Sequence, residues 1–150
     1  MTGRMNQRQK VEIVFKTGRP AQLSWLKRFA EKCLKDESLQ RKGQLLIVFV
    51  DNQKIQEINR QFFGRDRSTD VIAFSYNAEE ETWGEIIISI DRAEEQAREY
   101  GVTLQNEVAR LAVHGILHLA GYEDETDELK SVMHCKEDEY LAKYQKLITE

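Results

Sequence analysis

The sequence predicts an α+β fold, a mixed β-sheet covered by helices. Two observations predict it. Short β-prone runs recur at Val11 to Phe15, Leu45 to Val50, Thr69 to Tyr76 and Gly84 to Ile90. Between and after them come segments with apolar residues three and four apart, which is helical spacing. The 150 residues are the usual size of one domain, and no linker, repeat or low-complexity stretch interrupts them, so 1–150 reads as a single domain.

Each element has a local reason. Val11 to Phe15 reads as a strand, and Pro20 suits the first turn of the helix that follows, where its missing N–H costs nothing. Leu26, Phe29, Ala30 and Cys33 give that helix one apolar face. Leu45 to Val50 is continuously β-prone, as a strand buried on both faces should be. Asp51 is placed to cap a helix carrying Ile55, Ile58 and Phe62, and Gly64 to end it. Thr69 to Tyr76 and Gly84 to Ile90, separated by an acidic loop, form an antiparallel hairpin. Asp91 opens a charged helix that stops near Gly101, and Thr103 opens the next, with Glu107 supporting its first turn. A last helix sets Leu129, Val132, Met133, Leu141 and Tyr144 along one broad face. The predicted order is β-α-β-α-β-β-α-α-α.

Composition excludes several classes. Apolar residues make up 41% and charged residues 32%, as in an ordinary globular chain rather than a disordered one. The longest apolar run, Leu45 to Val50, is far short of the roughly 20 residues of a membrane helix. Met1 to Lys10 is polar and basic, without the apolar centre of a secretory leader. Cys33 and Cys135 form no CxxC pair and no disulfide framework, so a reducing cytoplasm is the expected location. A net charge of −4 argues against a broadly basic nucleic-acid coat. It leaves room for a local patch, and cations gather around Arg4 to Lys16 and at Arg60, Arg65 and Arg67.

The informative segment is His114-Gly-Ile-Leu-His118-Leu-Ala-Gly121-Tyr-Glu-Asp124. Histidines four apart share a helix face, as a two-histidine zinc site requires. Gly121 sits where the helix should stop, and the reversal it permits brings Asp124 within reach of the same ion. Glu123, its neighbour, is the competing carboxylate. Two imidazoles, one carboxylate and an open position make a catalytic zinc shell. A lone HxxxH pair is weak evidence. Here the apolar neighbours Leu117, Leu119 and Ala120 make unpaired imidazoles costly, and glycine and acid follow at a zinc-hydrolase spacing. Gly115 stands where HExxH peptidases carry their glutamate base, so that protease chemistry is disfavoured. His134 and Cys135 match no zinc spacing, and Trp25 and Trp83 read as packing residues. Asp70 and Glu85 are both candidates to orient a ligand histidine, and position alone does not choose between them.

The segment closely resembles the HGxLHLxGYDH signature of the YbeY family, bacterial zinc endoribonucleases. Asp66 to Phe74 is similar to the family's DxPTDVLSF strand, Gly84 to Ser89 to its GDIxIS strand, and Asp91 to Ala97 to the helix after it. The resemblance covers nearly the whole chain. It implies a zincin-like site on a helix, holding one zinc per chain through His114, His118 and Asp124. It further implies a cytoplasmic hydrolase of single-stranded RNA, acting in rRNA processing at the small subunit's 3′ end and in ribosome quality control. The small ribosomal subunit or its associated factors would be partners. With no glutamate base, the expected chemistry is attack by a zinc-activated water, with His114 in the site and Arg60, Arg65 or Arg67 countering phosphate charge.

Three positions depart from the family pattern. Asp124 replaces a third histidine, which admits iron or manganese as well as zinc. Phe63 replaces an arginine assigned to RNA phosphate, leaving that role empty or passing it to Arg60, Arg65 or Arg67. Ser68 replaces a proline and loosens the loop. Two rivals remain open: a zinc hydrolase of another substrate, and a non-catalytic ribosome-assembly factor with a structural metal.

Overall fold

A computed structural model of the chain describes residues 10–17, 23–65, 69–76 and 81–148. Four strands, β1 (Lys10–Phe15), β2 (Gln44–Val50), β3 (Val71–Ser75) and β4 (Thr82–Ser89), form one sheet in the order β1-β2-β4-β3. β1 and β4 both run parallel to β2, while β3 pairs antiparallel with β4 at the edge. The predicted hairpin and mixed sheet are both present. Pro20 lies outside the described residues.

The described residues also form six helices: α1 (Leu26–Asp36), α2 (Asn52–Phe63), α3 (Ile90–Tyr100), α4 (Leu104–Leu119), α5 (Asp127–Lys143) and α6 (Gln145–Ile148). The sequence reading ran α5 through Tyr144 and did not foresee α6; Tyr144 instead caps α5, and a short turn follows. Asp51 caps α2 by accepting from the Lys54 N–H, and Gly64 ends it at φ 68°. α3 begins earlier than expected. Its cap is Ser89, whose Oγ accepts from the Arg92 N–H, while the Asp91 carboxylate accepts from the Asn52 N–H at 2.8 Å.

The sheet is covered unequally. Leu45, Ile47, Phe49, Ile86 and Ile88 point to one side, where α1 and α4 seat Leu26, Phe29, Val113, Ile116 and Leu117 against them. On the other side Val48, Val50, Ile72 and Ile87 meet α2 through Ile55, with Ile58 partly buried. Phe62 was expected on that buried face but is 60% exposed, because it lies over the ring of Phe74 beside the sheet's edge strand. Val132 of α5 is likewise half exposed, whereas Met133, Tyr140 and Leu141 are buried.

α4 is the central helix. Thr103 caps it, and Gly115 lets it settle directly on the sheet. A Cβ at position 115 would lie 2.7 Å from Ile86 Cγ2, a branched core side chain with nowhere to go. The position that holds a glutamate base in HExxH peptidases is therefore a packing contact in this fold.

Candidate metal centre

His114 and His118 project from the partly open face of α4, one turn from its end. After Leu119 the chain reverses through Gly121, at φ 104°, and the Tyr122 N–H returns to the Leu117 carbonyl at 2.9 Å. Glycine accepts that conformation without steric cost. The reversal does two things for the site. It places the Tyr122 carbonyl 3.1 Å from His118 Nδ1, and it returns Asp124 to the two imidazoles.

The three donors form a small triangle. His114 Nε2 and His118 Nε2 are 3.1 Å apart, and Asp124 Oδ2 lies 3.6 Å from the first and 3.5 Å from the second. A tetrahedral ion with bonds of about 2.0–2.1 Å requires ligand atoms about 3.4 Å apart. The edges fit that size.

Hydrogen bonding says why such a cluster needs a cation. A carbonyl only accepts, so His118 must carry its proton on Nδ1, facing Tyr122. His114 Nδ1 is 2.7 Å from Glu137 Oε2, a carboxylate that also accepts, so its proton sits on Nδ1 too. In the neutral rings both Nε2 atoms then point lone pairs at each other and at the Asp124 carboxylate. Three electron-rich atoms at this spacing repel unless a proton or metal ion lies between them. His114 responds accordingly. Burial, the largest influence, pulls its pKa down, but the Glu137 hydrogen bond and the charges of Glu137, Asp70 and Asp124 outweigh it, and the net shift is upward. The group can hold a metal ion. Side-chain exposures of 26%, 32% and 38% leave one side open to solvent, as a reactive ion requires.

Glu137, on α5 and 2% exposed, was not foreseen. Neither expected orienter takes its place. Asp70 accepts from Gln96 Nε2 at 3.2 Å, and Glu85 accepts from the Tyr76 hydroxyl at 2.9 Å. Glu137 is held in turn by Arg110, whose Nη1 donates to its Oε1 at 3.0 Å while Nη2 donates to Asp138 at 2.7 Å. The sequence did contain signals. Met133, Glu137 and Leu141 form one row at spacings of four, so a carboxylate sits in a buried stripe and must find partners. Arg110 is one turn before His114 on the same face of α4.

The structure does not bring every expected residue to the centre. Arg60 lies in the last turn of α2 and Arg65 just beyond its cap, both exposed, and α2 covers the opposite side of the sheet. Neither lines the cleft beside His114, where the guanidinium present is that of Arg110. Arg67 falls outside the described residues. Phe63 is 48% exposed and stacks on Phe74 with ring centroids 5.7 Å apart. His134 is 3.5 Å from Glu137 rather than in the triangle, and Cys135 is exposed. Trp25 and Trp83 are buried.

Fold and site together define an α+β protein with a histidine-histidine-carboxylate group able to hold a metal ion, built on one helix and the turn that ends it. The family model for Endoribonuclease YbeY matches residues 5–145, and the chain belongs to the YbeY family. It is 41% identical over 126 residues to Endoribonuclease YbeY of Pelotomaculum thermopropionicum, covering 79% of this chain and 83% of that one. Endoribonuclease YbeY of Geobacillus thermodenitrificans is 37% identical over 135 residues, covering 82% and 86%. A solution structure from Thermotoga maritima superposes with a TM-score of 0.61 at 32% identity, over 91% of this chain and 92% of that one.

Proposed function

We propose that this protein is a zinc-dependent endoribonuclease of single-stranded RNA. We further propose that it acts in the cytoplasm on ribosomal RNA, in maturation of the small subunit's 3′ end and in late ribosome quality control. Family membership supports the reaction class, since the matching relatives are endoribonucleases by name. The observation that carries the reading is the convergence of two imidazole Nε2 atoms and one carboxylate oxygen on a single solvent-facing point. No described helix is long and apolar enough to cross a membrane.

One zinc ion per chain, held by His114, His118 and Asp124, would stabilise charge on a phosphoryl oxygen and bring the pKa of a water towards about 7. The chain's own residues do the rest. Glu137 and the Tyr122 carbonyl hold both imidazoles in the tautomer that offers Nε2 to the ion. Asp124 would bring one negative charge to the ion, where a third imidazole would bring none. Gly115, packed on Ile86, leaves no room for a carboxylate base at the position where HExxH peptidases carry one. Arg110 faces the same cleft and fixes the carboxylates around it.

The test is cleavage of single-stranded RNA by the purified protein, with and without a chelator, beside a His114→Ala control. Cleavage that the chelator and the substitution both abolish is the expected result; cleavage indifferent to both would sink the reading. A second reading, a ribosome-assembly factor with a structural metal, rests on Phe63, which puts a stacked ring where relatives are expected to offer a guanidinium. It predicts full metal content, binding to ribosomal particles and no turnover.

A further inference from the structure

The cleft beside His114 continues along α4, and its far end is built differently from the metal centre. Glu107 lies two helical turns before His114, an axial distance of roughly 10 Å. The cavity between them has a volume of about 480 Å³, within the roughly 300–1,000 Å³ of small-molecule sites. Gln96 and Tyr100 of α3 face Asn106, Glu107 and Leu111 of α4 across it.

Glu107 is 3% exposed, and the cation acting on its carboxylate is Arg110. Arg110 attracts it electrostatically, but the hydrogen bonds of that guanidinium go to Glu137 and Asp138. Asn106 Oδ1, on the same wall, is buried without a partner. One acceptor without a partner and one largely buried carboxylate therefore border the same cavity, and a carboxylate with so little exposure favours a ligand that brings it N–H donors. A second metal ion does not answer this need. Glu107, Asp70 and Glu137 do not converge, and among the described residues the group able to hold an ion is the one at His114. The cavity also offers apolar surface, from the buried Leu111 and from Val102 and the 63%-exposed ring of Tyr100 at its mouth. Acceptors at the back and flat apolar walls suit a planar ring that carries N–H donors on its edge.

We propose that this end of the cleft is a nucleobase subsite selecting guanine, with Glu107 accepting from N1–H and the 2-amino group and Tyr100 offering a stacking face. The inference rests on the RNA reading of the metal centre and gives that centre its specificity. Of the four RNA bases, guanine alone presents two adjacent N–H donors on its Watson–Crick edge, a match for the two oxygens of a carboxylate. Adenine and cytosine set one amino donor beside a ring acceptor, and uracil sets its one donor between two carbonyls, which a carboxylate repels. Single-stranded RNA is commonly read in this way, by hydrogen bonds to unpaired base edges and stacking on an aromatic ring. A site with buried acceptors also rejects ligands that leave those acceptors unpaired.

The experiment is a titration of the metal-loaded full chain with 5′-GMP and with 5′-UMP, followed by calorimetry. GMP should bind about tenfold more tightly, as for one good bidentate base contact. Glu107→Gln, which preserves shape, should bring the ratio close to one while metal content stays at the wild-type level. Tyr100→Ala, at an exposed position that folding does not depend on, should weaken GMP. Equal affinity for the two nucleotides overturns the proposal, as does a GMP preference that survives Glu107→Gln or a GMP affinity indifferent to Tyr100→Ala. Cleavage of single-stranded RNA measured alongside separates the two readings. GMP preference without cleavage supports the subsite and overturns the nuclease, whereas cleavage without GMP preference does the reverse.

Discussion

The two sides of the sheet show how the molecule divides its labour. Beneath α1 and α4 lies a deep core in which Phe29, Ile47, Phe49, Ile86, Ile88 and Ile116 are fully buried. Beneath α2 the layer is thin, with Ile55 the sole fully buried residue of its cluster, and it gives way at the sheet edge to the exposed rings of Phe62, Phe63 and Tyr76. The candidate metal centre stands on the deep side. Its first two donors ride a helix pressed on the sheet, and its third comes from the turn closing that helix. Precise donor geometry needs a support that does not yield, and close packing supplies one. The thin side carries the exposed Arg60 and Arg65, in the last turn of α2 and just beyond its cap.

The comparison can be broken at its firmest point. Gly115→Glu would force a carboxylate into Ile86 and bury it unpaired, which should cost about 3–5 kcal/mol or prevent folding. Gly115→Ala should cost less, about 1–3 kcal/mol from overpacking, partly offset by helix propensity. Urea unfolding of both variants measures this, and a stable Gly115→Glu would mean that α4 does not sit on the sheet as described. Truncations sharpen the contrast between sides. Ile86→Ala should fall near the top of the usual range of about 2–5 kcal/mol, and Ile55→Ala near the bottom, because α2 can settle towards the void. Equal losses would erase the distinction between the two layers.

Smaller effects probe the site and the edge. Glu137→Gln should weaken metal affinity by about 10–100-fold, read by competition with a chromophoric chelator, because the His114 tautomer is no longer held by a carboxylate. Unchanged affinity would make Glu137 a packing residue. Phe63→Arg, at an exposed position, should change stability by no more than about 0.5 kcal/mol and leave metal content alone. If a missing guanidinium limits the reaction, that variant should cleave RNA faster than wild type. No gain would hand the role to another cation.

Much of this was legible in the sequence, for reasons that differ by element. β2, the β3–β4 hairpin and the caps at Asp51 and Thr103 could be read because burial on both faces, alternation and capping chemistry leave local marks. The triangle was legible because helical spacing fixes His114 against His118, and Gly121 announces the reversal that returns Asp124. Glu137 was missed because its contact with His114 spans 23 residues and depends on how α5 packs on α4, which no local pattern encodes. Arg110 was not singled out, and it lines the cleft beside His114 while Arg60 and Arg65 do not. Grouping of those two along the chain does not bring them to that cleft, because α2 covers the other side of the sheet. Phe62 kept helical spacing yet escaped burial because the sheet ends beneath it.

The central claim is that His114, His118 and Asp124 hold one metal ion, and metal content after purification without chelator tests it most directly. Wild type should carry close to one transition-metal ion per chain, measured by mass spectrometry of the digested protein. The His114→Ala, His118→Ala double variant should carry almost none, and Asp124→Ala should lose most of it while Glu123→Ala keeps it. Metal content equal in the wild type and the double variant, or lost in Glu123→Ala and kept in Asp124→Ala, would contradict the account.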